Sequence, residues 1–143
     1  MAIRQDLTVN QGETWTYTYT HKDSAGAAID LTAFTARMMV KASFADGFKA
    51  YLSTGADANG GQIVLGGVAG TVTLSMTADE TARIDGNIVF SGFETSDLSM
   101  QPARSQLIEP ALYLLYDLEL ISGAGAVTRA LQGRFILNRE ITK

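Results

Sequence analysis

The longest run in which apolar and polar residues alternate lies between Tyr113 and Leu137. A period of two is typical of a β-strand with one buried and one solvated face. The glycine-rich stretch 122–125 interrupts the alternation, so the pattern predicts two long antiparallel strands joined by a short loop. In the first strand, the residues predicted to face inward are Leu114, Tyr116, Leu118 and Leu120.

In the register predicted for this hairpin, one residue does not fit the pattern of an apolar inner face. With a four-residue loop, Leu118 pairs with Arg129 and Tyr116 pairs with Leu131. That pairing places Arg129 on the apolar face. Either Arg129 lies at the rim of the core and pairs with a carboxylate, or a one-residue slip or bulge occurs nearby.

A second strand is predicted at 13–20, where aromatic residues alternate with threonines. Residues of these two types are enriched in strands because they pack well on a pleated surface. We expect Trp15, Tyr17 and Tyr19 to share one face and to pack into the core. The alternative is that this face is exposed as a platform on which sugars stack.

Shorter alternating runs predict further strands at 3–9, 34–41, 49–53, 63–65 and 71–76. Thr77 and Glu80 fit a capping box, which predicts one short helix over Ala78–Ile84. Seven to eight strands at intervals of roughly 10 residues are typical of an immunoglobulin-like β-sandwich. We therefore predict an all-β, immunoglobulin-like antiparallel β-sandwich with one short helix and a long insertion before the last hairpin. A closed barrel is the main alternative.

The chain is predicted to form a single domain, 1–143, in which the segment 86–110 breaks the strand rhythm. This segment has mixed periodicity and is longer than most connections inside a compact domain. As an insertion, it either packs over the end of its own sheet or acts as an interaction loop. Its apolar residues, predicted to bind a partner, are Ile88, Val89, Phe90, Phe93, Leu98, Met100, Leu107 and Ile108.

The charge and the cysteine content of the chain limit the classes of function that it can have. The net charge is −4 at pH 7 and the basic residues are scattered along the chain. Nucleic acid is therefore not expected as a partner, because phosphate binding depends on clustered lysine and arginine. The sequence has no cysteine, which removes disulfides and thiolate chemistry. No apolar run approaches the roughly 20 residues of a membrane span, so we expect no membrane contact and synthesis in the cytoplasm.

Two arrangements of polar residues resemble catalytic groups, and neither predicts an enzyme. His21, the only histidine, is followed by Asp23 and Ser24, but three residues within one turn seldom adopt triad geometry. Asp117 and Glu119 share a strand face at roughly 7 Å, near the separations that glycosidases use. Outward carboxylates are nevertheless ordinary on a solvated sheet face. We predict no catalytic residue, no metal and no cofactor.

Several short motifs carry a family resemblance through their order and spacing. They are 11–14 (QGET), 29–32 (IDLT) followed by 34–38 (FTARM), 70–74 (GTVTL), 116–120 (YDLEL), 127–129 (VTR) and 131–133 (LQG). Together they look like a group of small tailed-phage virion proteins with an immunoglobulin-like domain. More distantly, they resemble the amino-terminal domain of phage baseplate upper proteins. The resemblance covers most of the chain outside 86–110, where the sequence carries an insertion in place of a short link.

The resemblance implies a non-enzymatic virion protein, present in several copies at the tail, the baseplate or the fibre attachment. Its partners would be other virion proteins and copies of itself. An alternative within this class is a capsid decoration (cement) protein on the head. An alternative from another class is a module that binds a host-surface glycan through exposed aromatic residues, for which the candidates are Trp15, Tyr17, Tyr19, Tyr113 and Tyr116. The residues alone predict a soluble all-β domain of a binding or assembly type.

Overall fold

The computed structural model describes residues 2–42, 48–55, 61–84 and 111–139. These residues form nine strands and one short α-helix, in an all-β architecture. The strands are β1 (Ile3–Arg4), β2 (Leu7–Asn10), β3 (Trp15–Thr20), β4 (Thr35–Lys41), β5 (Phe48–Ser53), β6 (Gln62–Leu65), β7 (Thr71–Met76), β8 (Ala111–Ile121) and β9 (Val127–Asn138). Helix α1 spans Ala78–Ile84, the bounds that the capping box predicts.

The described strands lie in one curled sheet of mixed direction. Its order is β1-β9-β8-β4-β5-β6-β7-β3, and β2 also pairs with β9. Most neighbours are antiparallel, but β1 and β2 run parallel to β9, and β5 pairs in parallel with β6 through Ser53 and Gln62. The antiparallel arrangement predicted for the strands is therefore wrong for these three pairs. Alternation shows which face a strand buries, but it does not show the direction of the neighbouring strand.

The predicted amino-terminal strand is broken into β1 and β2 at Gln5 and Asp6. Tyr116 Oη donates a hydrogen bond to the Gln5 carbonyl oxygen. Asp6 Oδ1 accepts a hydrogen bond from the backbone N–H of Arg134 at 3.0 Å. Gly133 makes room for this break, because a Cβ at that position would lie 2.5 Å from the Gln5 carbonyl oxygen. The break accounts for one strand more than predicted.

The inner face of the curled sheet holds the core. Strand β3 is at one edge of the strand order and β9 lies near the other edge. Even so, Trp15 of β3 packs edge-on against Phe135 of β9, with ring centroids 6.0 Å apart. Tyr17 and Tyr19 are half-buried against the same core, so the prediction that the aromatic face of β3 packs inward is confirmed. The curl thus brings the two ends of the sheet together around shared apolar contacts.

The hairpin of β8 and β9 forms as predicted, but its register differs. Glu119 pairs with Arg129, whereas the next pair is Leu118 with Leu131. Ala130 therefore lies between two ladder pairs as a β-bulge, and it is fully buried. The bulge moves Arg129 out of phase with Leu131 and onto the outer face. The predicted pairing of Leu118 with Arg129 is wrong, and the alternative of a bulge is confirmed.

The capping box fixes the start of α1. The backbone N–H of Thr77 donates to Glu80 Oε1 at 2.8 Å, and the backbone N–H of Glu80 donates to Thr77 Oγ1 at 3.2 Å. Thr81 is fully buried; its hydroxyl accepts from the Gly12 N–H at 3.0 Å and donates to the Glu13 carbonyl at 2.9 Å. These bonds attach the helix to the connection between β2 and β3. A helix of seven residues needs such tertiary contacts, because it is too short to be stable alone.

Candidate functional site: a charged groove on the outer face of the sheet

The outward residues of β4, β8 and β9 form three cross-strand rows. Each row follows from the pairing of β4 with β8 and of β8 with β9. From β4 to β9 the rows are Arg37, Glu119 and Arg129; Met39, Asp117 and Gln132, with Arg4 of β1 next to Gln132; and Lys41, Leu115 and Arg134. These residues line an open groove of about 630 Å³, which we call the charged groove. The bulge at Ala130 matters here, because it places Arg129 in the first row.

One ion pair lies within the first row, and another joins the first row to the second. Arg37 Nε donates to Glu119 Oε1 at 2.7 Å, and Arg129 Nε lies 3.4 Å from Asp117 Oδ2. The hydrogen bond from Arg37 to Glu119 also raises the pKa of the Arg37 guanidinium above its ordinary value. Both pairs are partly exposed, so solvent screens them and they contribute little to stability. Their main effect is to hold long side chains in fixed positions along the groove.

The third row is held by contacts to the amino-terminal strand break. Arg134 Nη2 lies 3.2 Å from Asp6 Oδ2, and its guanidinium carbon lies 5.7 Å from the ring centroid of the exposed Tyr113. The pKa of the Asp6 carboxyl is held below its ordinary value, first by the Arg134 backbone N–H and further by the Arg134 side chain. Arg134 is therefore oriented by a carboxylate on one side and an aromatic face on the other.

In the described part of the chain, two cations of the charged groove lie outside its ion pairs, although the charge of one of them, Arg4, helps to lower the pKa of the Asp6 carboxyl. Among the described residues, the side chains of Arg4 and Lys41 form no ion pair. Five of the eleven basic residues of the chain line the groove, with two of its fifteen acidic residues. The groove thus carries a formal charge of +3, whereas the chain as a whole carries −4. Basic residues that are scattered in the sequence are brought together on one face by strand pairing.

The histidine turn does not assemble a triad. Asp23 Oδ1 accepts hydrogen bonds from the backbone N–H groups of Ala25 and Ala27, at 2.9 and 3.0 Å. His21 Nδ1 is buried and has no hydrogen-bond partner among the described residues, so Asp23 does not orient the imidazole. Burial lowers the pKa of His21 below its ordinary value. The aspartate instead shapes the turn, as aspartate side chains commonly do.

Asp117 and Glu119 share the outer face of β8, as the alternation predicts. Each carboxylate lies next to a different arginine, in the two ion pairs of the charged groove. Both carboxylates therefore hold arginine side chains of the neighbouring strands.

The aromatic candidates for sugar binding separate into buried and exposed residues. Tyr116 is 5% exposed and its hydroxyl is bonded to Gln5, so its ring offers no free face. Tyr19 is half-buried, its hydroxyl has no partner among the described residues, and burial raises its pKa. Tyr113 is 58% exposed, but it already contacts Arg134. The five predicted residues therefore do not form one exposed aromatic platform.

The predicted partner-binding residues lie within 85–110, which is outside the described residues. The charged groove was not among the predicted sites. One signal was present in the sequence, since Arg37, Met39 and Lys41 occupy the outward positions of a predicted strand. That signal became a site only when the pairing placed β8, β9 and β1 beside β4.

Two comparisons of the sequence with known proteins find no match. No model of a known protein family matches the chain, and no curated protein is detectably similar to it in sequence. Within the part of the chain that the structure describes, no helix is long and apolar enough to cross a membrane.

Proposed function

We propose that this protein is a non-enzymatic structural component of a bacteriophage virion, a tail, baseplate or fibre-attachment domain present in several copies. The observation that carries the proposal is the charged groove. It is an open surface whose side chains are partly held by ion pairs, and it has a formal charge of +3 on a chain whose net charge is −4. Interfaces between protein subunits use such surfaces, because complementary charge sets the register and the partner of a contact. The resemblance of the sequence motifs to tailed-phage virion proteins supports the same class.

We further propose that the curled sheet is a distorted immunoglobulin-like sandwich. Strands β9, β8, β4 and β5 form one antiparallel group, and β6, β7 and β3 form another. The two groups are joined through the pair Ser53 and Gln62, and the contact between Trp15 and Phe135 crosses the core between them. Two layers that face each other over one core are the basis of a sandwich.

Two alternatives remain distinct from the tail proposal. A capsid decoration protein would use the same groove on the outside of the head, and only its position on the particle differs. A glycan-binding module is less well supported, because Tyr116 is buried and the aromatic face of β3 packs against the core. We therefore favour an assembly role over sugar recognition.

Immunogold electron microscopy on purified particles of the phage that encodes this chain tests the proposal. An antibody raised against the folded domain is expected to label the tail or its tip. Label distributed over the head would instead support a decoration protein. Particles that carry no label, from a phage stock in which the antibody detects the protein outside virions, would contradict a virion role. Denatured particles probed with the same antibody control for an epitope hidden by assembly.

A further inference from the structure

The two edges of the curled sheet differ in how well they are protected. At one edge, β1 has only two residues, one of which is the charged Arg4, and the break at Gln5 and Asp6 separates it from β2. At the other edge, β3 pairs with β7 on one side and has no neighbour on its other side among the described residues. Short strands, charges and irregularities prevent an edge from pairing with another chain, and the edge at β1 has all three.

Strand β3 lacks the features that protect an edge. All six of its residues pair with β7, from Trp15 with Met76 to Thr20 with Thr71, without a bulge. The strand contains no charged residue and no proline, and it consists only of aromatic residues and threonines, which favour strands. A regular, uncharged strand at a sheet edge is a template on which a further strand can form.

Alternate backbone groups of β3 point to its open edge. The His21 N–H donates to the Gly70 carbonyl oxygen at 2.8 Å, one position beyond the ladder of β3 with β7. Bonded positions recur at every second residue of an antiparallel ladder, so the backbone groups of the odd-numbered residues of β3 point to β7. Those of Thr16, Thr18 and Thr20 point away from β7, and no backbone group in the described part of the chain pairs with them.

A second copy of β3 provides the complementary edge. Two β3 strands related by a two-fold axis run antiparallel, and an axis at Thr18 lets all of the outward backbone groups pair. Thr18 then lies opposite its own counterpart, and Thr16 of each copy lies opposite Thr20 of the other. Because residues of equal parity face each other, the threonines of both copies stay on one face of the joined sheet and the aromatic residues on the other.

The charges near the ends of β3 favour this antiparallel arrangement. The nearest charged residues are Glu13 before the strand and Lys22 after it. Antiparallel pairing brings the start of one strand to the end of the other, so that unlike charges come together at both ends of the contact. A parallel arrangement would bring like charges together. Asp23, which follows Lys22, accepts hydrogen bonds from two backbone N–H groups of its own turn.

We infer that β3 pairs with β3 of a second copy of this chain, which joins the two sheets across a two-fold axis at Thr18. The inference rests on the proposed function only in that both involve several copies of the chain, and it does not involve the charged groove. One strand edge is a small contact, so the dimer is expected to be weak in solution and stronger where copies are held close together in an assembly.

Amide hydrogen exchange, measured by NMR at protein concentrations up to about 1 mM, tests this inference. The N–H groups of Thr16, Thr18 and Thr20 face solvent in the monomer, and their exchange should slow by about twofold or more as the dimer forms. Tyr17 and Tyr19 are the internal control, because their N–H groups point to β7 and should be protected at every concentration. Sedimentation equilibrium on the same samples should show a dimer.

Substitutions of Thr18 test the position of the axis. Thr18→Pro removes an outward N–H group and should weaken self-association by about tenfold or more. Proline is tolerated on an edge strand where the missing N–H faces solvent, so circular dichroism should show a folded variant. Thr18→Lys places two ammonium groups opposite each other and should weaken association about two- to fivefold. An equal mixture of Thr18→Lys and Thr18→Glu should restore it, because unlike charges then meet at the axis.

Val64→Lys is the matched control, since Val64 is exposed on β6, two strands away from the open edge, and its replacement should leave association close to that of wild type. Four results would overturn the inference. They are a wild-type chain that stays monomeric at about 1 mM, a dimer in which the outward amides of β3 exchange as fast as in the monomer, a mixture of the lysine and glutamate variants that does not restore association, and a loss in the control as large as in Thr18→Pro.

The proposed virion role fails by a different observation. A chain that dimerises through β3 but carries no antibody label on particles would contradict the virion role alone. A chain that is labelled on particles but stays monomeric when purified would contradict the pairing of β3 alone.

Discussion

Strand β8 has two faces that differ in burial and in chemistry. Its inner residues Leu114, Leu118 and Leu120 are at most 1% exposed and contact the core. Its outer residues include Asp117 and Glu119, which remain partly exposed in ion pairs. The same backbone therefore supports a packed interior on one side and a solvated ionic surface on the other. The inner face makes the fold stable, and the outer face is available for recognition.

The free-energy contributions expected for the two kinds of contact support this division. Complete burial of a leucine side chain contributes about 1.5 to 3 kcal/mol, whereas an exposed ion pair contributes about 0 to 1 kcal/mol. Replacement of an inner residue also leaves a cavity, and the loss of its packing contacts adds to the loss of burial. Substitutions on the inner face should thus change stability strongly, and those on the outer face should change binding more than stability.

Leu118→Ala should produce the largest effect. Leu118 is fully buried at the pair with Leu131, so its truncation should lower the free energy of unfolding by about 2 to 5 kcal/mol. Glu119→Ala, one residue further along the same strand, should lower it by less than about 1 kcal/mol. Urea denaturation monitored by circular dichroism measures both. Equal losses from the two variants would show that the two faces of β8 do not differ in the way described.

Gly133→Ala should have an intermediate effect, because it disturbs the inner face through the backbone. The new Cβ would lie 2.5 Å from the Gln5 carbonyl oxygen and 2.9 Å from the Gln5 carbonyl carbon. Overpacking of this kind should lower the free energy of unfolding by about 1 to 3 kcal/mol. Gly123→Ala is the control, since its Cβ would make only ordinary contacts at 3.4 Å with Ala33. A Gly133→Ala protein as stable as the control would mean that the amino-terminal segment does not pack over Gly133.

Asp6→Asn should have the smallest effect, and the effect should depend on pH. The folded-state pKa of Asp6 lies below the ordinary value of 3.8, so its ionised form stabilises the fold above about pH 4. That stabilisation is lost as the pH falls through the folded-state pKa. The difference in melting temperature between wild type and Asp6→Asn should therefore be present at pH 7 and should shrink towards zero in strong acid. A difference that persists unchanged at acidic pH would contradict the ion pair with Arg134.

Local structure was largely predictable from the sequence. The alternation located the strand segments and the inner face of β8, because burial on one side selects apolar residues at every second position. The capping box located α1, because its hydrogen bonds join residues three positions apart. The aromatic strand β3 was also identified with its correct inner face.

The register of the last hairpin was not predictable in the same way. Arg129 follows the phase of Leu131 and Phe135 in the sequence, and only the bulge at Ala130 turns it outward. A bulge depends on the pairing of two strands, so a single strand carries no clear signal for it. The charged groove depends on this bulge and on strand order, which explains why the sequence did not reveal the groove as a site.

The sequence by itself therefore determined where strands and the short helix form and which side of each strand is buried, because these properties depend on neighbours within a few residues. Tertiary structure decided which strands meet, that β1 and β2 run parallel to β9, and that Arg4, Lys41 and Arg129 line one groove. Those outcomes depend on contacts between residues up to 128 positions apart, such as that of Asp6 with Arg134. Long-range pairing is selected by the packing of the whole core, which no local pattern encodes.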